Sequence, residues 1–380
     1  MKFTIRKDAL DGALQTVFKA VSTRTTIPIL SGIKIDAGAS GIVLTGSDTD
    51  ITIQYFIPPE DKEGTVASVD APGSVVLPAK FFVDVVRKLP SDTVELEREG
   101  NFQTRIRSGS SEIMLVGLDP DEYPALPALE EERVFSINAL LLKSMIRQTV
   151  FAVSTNESTP ILTGVLWTLK NGRLKFTATD RHRLSSAEAA VEASADLSID
   201  QLVVSGKTLG ELSKIIPDDG MTAGIVASES LILFKLDNVL FYSRILDGTY
   251  PDTSKIIPQT YKTEFVAGTR EFTDAIERAY LLSREEKTNI VRLVTLGSNQ
   301  IEISSSLSEL GKVTERLETK RLEGEELKIA FNSRYMLDAL KVIDSENIQI
   351  GFTGMMSPII VRPEGEDRML HLILPYRTSN

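Results

Sequence analysis

The chain contains no cysteine and only two histidines among its 380 residues. The first absence removes disulfides, thiolate metal sites, iron–sulfur clusters and cysteine nucleophiles together. The second leaves His182 and His371 far apart in sequence, too few ligands for a histidine-rich zinc or di-iron centre. No cofactor and no metal site is expected, although counting alone leaves open a carboxylate-held magnesium, for instance at Asp48-Thr49-Asp50. Long apolar runs are also missing, since no stretch reaches the ~18 residues of a bilayer-crossing helix. The opening Met1-Lys2-Phe3-Thr4-Ile5 passes directly into alternating and then helical patterning, without the apolar core of a signal peptide. The expected location is therefore cytoplasmic. Basic charge is scarce overall: the net charge of −11 would oppose a nucleic-acid partner if it were evenly spread. Placement of the basic residues thus matters more than the total.

What remains is an ordinary globular composition, 42% hydrophobic and 25% charged, in a chain long enough for roughly two to three domains. Internal echoes divide it further. Thr26-Ile27-Pro28-Ile29-Leu30-Ser31-Gly32 returns as Ser158-Thr159-Pro160-Ile161-Leu162-Thr163-Gly164, an offset of 132 residues. The same offset carries Val21-Ser22-Thr23 onto Val153-Ser154-Thr155, and Thr45-Gly46-Ser47-Asp48 onto Thr177-Ala178-Thr179-Asp180. Further on the offset becomes 127, relating Lys80 to Lys207, Pro90 to Pro217 and Tyr123-Pro124 to Tyr250-Pro251. A second step of 127 takes Lys207 to Arg334 and Lys214 to Lys341. Three copies follow, at residues 1–128, 129–258 and 259–380, with connectors near Glu130–Glu132 and Pro258–Lys262.

Each copy reads as an α+β unit of two helices on antiparallel strands. Helical periodicity covers Leu10–Val21, Leu141–Val153 and Phe272–Leu282, then Lys80–Leu89, Thr208–Ile216 and Tyr335–Ile343. The second helices carry Lys80 and Arg87, Lys207 and Lys214, and Arg334 and Lys341, each pair seven residues apart and so on one helical face. The first helices add Lys19, Lys143, Arg147 and Arg278. Basic residues at matched positions in an acidic chain suit a surface that follows a phosphate backbone without reading bases. Helix ends also attract Lys and Arg for dipole and solubility reasons, which explains any single one of them.

The densest chemistry lies at Thr177-Ala178-Thr179-Asp180-Arg181-His182-Arg183-Leu184. Asp180 and His182 would share a face in a strand, and a hydrogen-bonded catalytic pair is conceivable. No nucleophile elbow, Gly-rich phosphate loop or acidic metal cluster accompanies them. A docking groove is the competing reading, with the strand-like Leu370-His371-Leu372-Ile373-Leu374-Pro375-Tyr376-Arg377 as a second apolar wall rimmed by Arg and His.

Thr26-Ile27-Pro28-Ile29-Leu30, Ala178–Leu184, Leu246-Asp247-Gly248-Thr249-Tyr250-Pro251-Asp252, Phe331-Asn332-Ser333-Arg334-Tyr335 and Leu372–Arg377 together resemble the bacterial DNA polymerase III beta subunits, the replication sliding clamps. The resemblance spans essentially the whole chain. It implies a DNA clamp fold of three similar domains, assembled head to tail as a homodimeric six-domain ring around double-stranded DNA, without sequence preference and without catalysis. The implied partners are a second copy, the replicative polymerase catalytic subunit, the clamp loader, and repair proteins carrying clamp-binding motifs; no membrane is implied. A place at the nucleoid follows from such a track.

The positions matching the family's DNA contacts include Arg24, Lys80 and Asn156, to which the basic helix faces add Arg87 and Arg147 and the repeat adds Lys207, Lys214, Arg334 and Lys341. The resemblance also makes the 177–184 stretch one wall of a pocket for short peptides. Its implied members are Leu162, Thr179, Arg181, His182, Arg183 and Leu184, then Pro251, Lys255 and Ile256, then Asn332, Tyr335 and Ser357, and finally Leu372, Ile373, Leu374, Pro375, Tyr376 and Arg377. Such peptides would present a glutamine and apolar anchors. Arg181 stands where the family often has a small residue, narrowing the pocket mouth. Dimer contacts would involve Ile113 and Leu115 of the first domain and Leu281 and Leu282 of the third.

Overall fold

Six times among the described residues a strand runs straight into a helix with no intervening loop. Lys2–Arg6 leads into α1 (Lys7–Val17), Gly73–Pro78 into α2 (Ala79–Lys88), Arg133–Asn138 into α3 (Ala139–Thr149), Ile199–Ser205 into α4 (Gly206–Ser213), Thr263–Gly268 into α5 (Thr269–Ser283) and Lys328–Asn332 into α6 (Ser333–Leu340). The computed structural model describes residues 1–22, 25–126, 129, 133–285, 288–307 and 311–377. Arg24 and the Glu130–Glu132 connector lie outside the described residues.

The helices form where apolar spacing demanded them, and all but α5 end one to four residues earlier than the periodicity placed their ends. α1 buries Leu10, Ala13, Leu14 and Val17, then tightens into a 3-10 turn at Phe18–Ala20. α3 ends likewise, in Val150–Ala152, whereas α5 continues unbroken for 15 residues. α2 buries Ala79, Phe82, Val83 and Val86, and Arg87 and Lys88 in its last turn face the negative end of the helix dipole. Asn332 caps α6, its side-chain oxygen accepting from the Arg334 and Tyr335 N–H groups.

Two compact units result: Met1–Leu140 with Lys214–Ile245, and Leu141–Ser213 with Leu246–Asn380. They do not follow the repeat, because residues 129–258 are divided between them. The physical reason is strand pairing. In the first unit Val239–Arg244 of the middle repeat pairs antiparallel with Ile51–Ile57, putting Phe241 opposite Ile53 and Ser243 opposite Ile51. In the second unit Arg183–Ala190 pairs in the same way with Met369–Ile373, putting Leu184 opposite Leu372 and Ser185 opposite His371. Each sheet of the middle repeat thereby becomes continuous with a neighbour's.

Two of the edge strands matter for assembly. Ser111–Val116 ends a five-stranded sheet in the first unit, and Gly311–Glu318 ends a four-stranded sheet in the second. One core cluster of the second unit is built on Phe265, Phe272, Phe331 and Phe352 with aliphatic neighbours, and Trp167 stacks on Phe176 at 4.1 Å between centroids.

Candidate functional site

The 177–184 stretch is a strand end, a tight turn and the start of the next strand. Thr179 closes the first strand and Arg183 opens the second. Oδ1 of Asp180 accepts the backbone N–H groups of His182 at 2.9 Å and Arg183 at 3.0 Å. The Thr179 hydroxyl donates to the Arg183 carbonyl at 2.7 Å and accepts the Arg181 N–H at 3.1 Å. Arg181 takes a left-handed φ of 77° at the apex, a conformation that suits glycine better than a side chain with a Cβ. The equivalent turn in the first repeat has the same bonds: Asp48 Oδ1 accepts from Asp50 and Ile51, Ser47 replaces Thr179, and Thr49 has φ 81°.

This geometry disposes of the Asp180–His182 pair as an acid–base couple. The Asp180 carboxylate is occupied by two backbone N–H groups and by Nε of Arg183 at 3.0 Å. The His182 ring instead lies nearly parallel to Tyr335, 6.4 Å away.

Arg183 is a brace more than a wall. Its Nε bonds Asp180, its Nη1 donates to Oδ2 of Asp338 at 2.6 Å, and its Nη2 donates to the Phe151 carbonyl at 2.7 Å. The guanidinium also stands over the rings of Tyr335 at 4.5 Å and Phe151 at 5.4 Å. Burial, with the Asp180 carboxylate as the next cause, raises the Tyr335 phenol above its usual range. Asp338 and Phe151 were missed from sequence. The repeat held a signal for Asp338, because Asp84, Glu211 and Asp338 each follow the basic helix residue by four positions.

A cavity of about 440 Å³ opens over this brace. It gathers Leu162, Arg181, His182, Arg183, Asn332 and Tyr335, as the sequence led one to expect, and adds Thr159, Asn289, Asn156 and Arg334. The last two had been assigned to DNA. Arg181 reaches across to donate from Nη2 to the Thr159 hydroxyl at 3.3 Å. The C-terminal strand arrives beside it: the Leu374 N–H donates to the His182 carbonyl at 2.9 Å and the Tyr376 N–H to the Ala330 carbonyl at 2.7 Å. Pro375 bridges to Phe331, and the Leu374 and Tyr376 side chains remain exposed.

Other expected members stand differently. Leu184, Leu372 and Ile373 are each only 1% exposed. Leu184 and Leu372 pack with Ile360 on one face of the sheet and Ile373 joins the core on the other, because successive strand residues point to opposite faces. Thr179 is buried too, and its N–H donates to the Tyr250 hydroxyl at 3.1 Å. Pro251, Lys255, Ile256, Ser357 and Arg377 do not border the cavity. At the joint below, the Ser185 hydroxyl lies 2.9 Å from Nδ1 of His371, and full burial pulls the imidazole pKa down to about 3.

Among the DNA candidates, Lys80, Arg87 and Lys214 are exposed in the first unit, and Asn156, Lys207, Arg334 and Lys341 in the second. Arg147 is exposed but ion-paired with Asp344, and Arg278 is held by both carboxylate oxygens of Glu315. Of the dimer candidates, Leu281 is 53% exposed on α5, while Ile113 and Leu115 are half-buried and the alternate residues Met114 and Val116 are the exposed ones.

Comparison with known proteins places this arrangement. Models of the DNA polymerase III beta subunit match in succession: the N-terminal domain at residues 1–127, the central domain at 136–252 and the C-terminal domain at 254–377. The beta sliding clamp of Bacillus subtilis is 51% identical over 378 residues, covering all of both chains, and that of Staphylococcus aureus is 44% identical over 379 residues. The crystal structure of the Bacillus subtilis clamp superposes with a TM-score of 0.97 over the whole of both chains. A Pseudomonas aeruginosa clamp bound to griselimycin, 26% identical, superposes with 0.92, again over the whole of both. The chain belongs to the DNA polymerase III beta subunit family and is a DNA sliding clamp, a non-catalytic processivity factor for the replicative polymerase.

Proposed function

We propose that two copies close head to tail into a ring of six similar domains around duplex DNA, with boundaries at 1–128, 129–258 and 259–380. The edge strand Ser111–Val116 of one copy would meet Gly311–Glu318 of the other, with Leu281 packed beside the joint. Pairing these edges satisfies two rows of backbone groups that otherwise invite aggregation, and a twofold operator then closes the assembly. Topological linkage makes tight binding unnecessary. Exposed Lys80, Arg87, Lys207, Lys214, Arg334 and Lys341, with Asn156 and Arg24, would contact phosphates that are equivalent at every register, so the ring slides. Its working place is the nucleoid in the cytoplasm.

The cavity over Arg183 is the docking point for the polymerase, for the clamp loader and for repair proteins that carry short clamp-binding motifs. One observation carries this reading: exposed Leu374 and Tyr376 stand beside a polar cavity rimmed by Arg181, His182 and Asn332. An extended peptide would seat apolar anchors on the former and a glutamine amide on the latter. The griselimycin-bound relative supports the view that clamps of this fold hold ligands.

Retention after loading tests the ring. Nicked circular DNA should hold the protein through a high-salt wash, whereas linearising the same molecule should release it. Equal loss from both would remove topological tethering. For the groove, His182→Ala combined with truncation before Leu374 should weaken binding of a polymerase motif peptide while leaving the dimer intact; unchanged affinity would move the docking point elsewhere.

A further inference from the structure

The first unit contains a groove of about 320 Å³ built on the repeat-equivalent of the same scaffold. Leu30 stands where Leu162 does, and the Thr49-Asp50 turn stands where Arg181-His182 does, at the offset of 132. The correspondence extends to single bonds. The Arg244 N–H donates to the Asp50 carbonyl at 3.0 Å, as the Leu374 N–H donates to the His182 carbonyl at 2.9 Å. The chemistry, however, is exchanged. The strand end that is apolar Leu374 in one groove is cationic Arg244 in the other, and the basic turn is replaced by Thr49-Asp50.

Arg244 is anchored through one guanidinium nitrogen. Its Nε donates to the Thr49 carbonyl at 3.0 Å, and the next residue is fixed by the Ile245 N–H donating to the Ser230 carbonyl at 3.0 Å. Among the described residues no carboxylate pairs with this exposed guanidinium. Its two terminal nitrogens can therefore meet an incoming carboxylate side by side, in the geometry that guanidinium favours. Pro124, Ala125 and Leu231 supply apolar surface in the same groove. A ligand that uses both must carry an apolar side chain and a negative charge a few ångströms apart.

We propose that this groove is a second peptide-docking site, selective for an extended segment with an acidic side chain next to an apolar anchor. Its two specificities make it complementary to the groove over Arg183, so one copy offers two partners different addresses. The proposal does not require the other groove to bind anything.

The test uses the full-length protein with labelled leucine methyl groups and two capped probes, acetyl-GLELG-amide and acetyl-GLQLG-amide. Capping both ends leaves the glutamate side chain as the sole carboxylate. The Leu30 and Leu231 methyl resonances should shift saturably with the acidic probe. Half-saturation should need at least about fivefold more of the glutamine probe, and the same increase should appear with Arg244→Gln protein. Equal responses to the two probes, an unaltered response in Arg244→Gln, or shifts confined to Leu162 would each overturn the assignment. The probe exchange leaves the protein untouched, so a folding defect in the variant cannot imitate the expected result.

Discussion

Nη1 of Arg183 donates to Oδ2 of Asp338 at 2.6 Å, tying the turn of the second repeat to the second helix of the third. Both side chains are mostly covered, 13% and 27% exposed. Removing one partner strands a partly desolvated charge, which costs up to about 3–5 kcal/mol when burial is complete. With water still reaching both groups, Arg183→Ala should lower unfolding free energy by about 2 kcal/mol, and Arg183→Lys by somewhat less because the fork of donors is lost. Denaturant unfolding measures it. A loss below a few tenths of a kcal/mol would show that the brace carries no strength.

His371 makes stability sensitive to acid. Its folded-state pKa is depressed to about 3 by burial, so the native protein keeps the ring neutral while the unfolded chain protonates it near 6.5. Stability is therefore unaffected above pH 6.5 and declines as pH falls from there toward 3, by about 1.4 kcal/mol per pH unit well inside that window. His371→Asn removes the titration. The difference between wild-type and variant midpoints should widen in the variant's favour from pH 7 to pH 5; parallel curves would contradict the assignment.

Two glycines should respond oppositely to alanine. A Cβ at Gly164 would sit 2.6 Å from Cγ1 of Val203 and 2.9 Å from the Val204 carbonyl oxygen, so Gly164→Ala should destabilise by about 1–3 kcal/mol. A Cβ at Gly12, inside α1, meets nothing within 4 Å, and Gly12→Ala should stabilise by roughly 0.5–1 kcal/mol. Thermal melts of the pair read both signs at once.

The DNA surface should show itself in salt dependence. Lys80→Ala or Lys341→Ala should flatten the slope of log affinity against log salt by about 0.9 for each phosphate that is no longer neutralised. Arg147 is already paired with Asp344, so Arg147→Ala should change the slope less, and Asp344→Asn should raise affinity by freeing the guanidinium. An equal effect of Lys80→Ala and Arg147→Ala would contradict this ranking.

Much of this architecture was visible in the residues themselves, because a repeat states its own fold three times. The offset of 132 located the Asp48 and Asp180 turns, and the two turns prove to share individual hydrogen bonds. The joints between repeats were not visible. Ile51–Ile57 pairs with Gly41–Ser47 of its own repeat on one side, and which strand takes its other side depends on packing far along the chain, which local pattern does not encode. For the same reason Leu184 and Leu372 looked like groove walls, although the pleat turns them inward. Arg183 was legible as a member of the site, but its task depended on Asp338, Phe151 and Tyr335, which only the fold brings together.

The Asp48 and Asp180 turns have a consequence for how this chain can change. Each is closed by its first two residues, Ser47-Asp48 or Thr179-Asp180, whose side chains satisfy the backbone of the next three. The apex pair that follows contributes only N–H groups to that closure. Thr49-Asp50 and Arg181-His182 are thus exchangeable cassettes on one frame, free to drift in sequence while the sheets around them stay fixed. Recognition can be rewritten here two residues at a time.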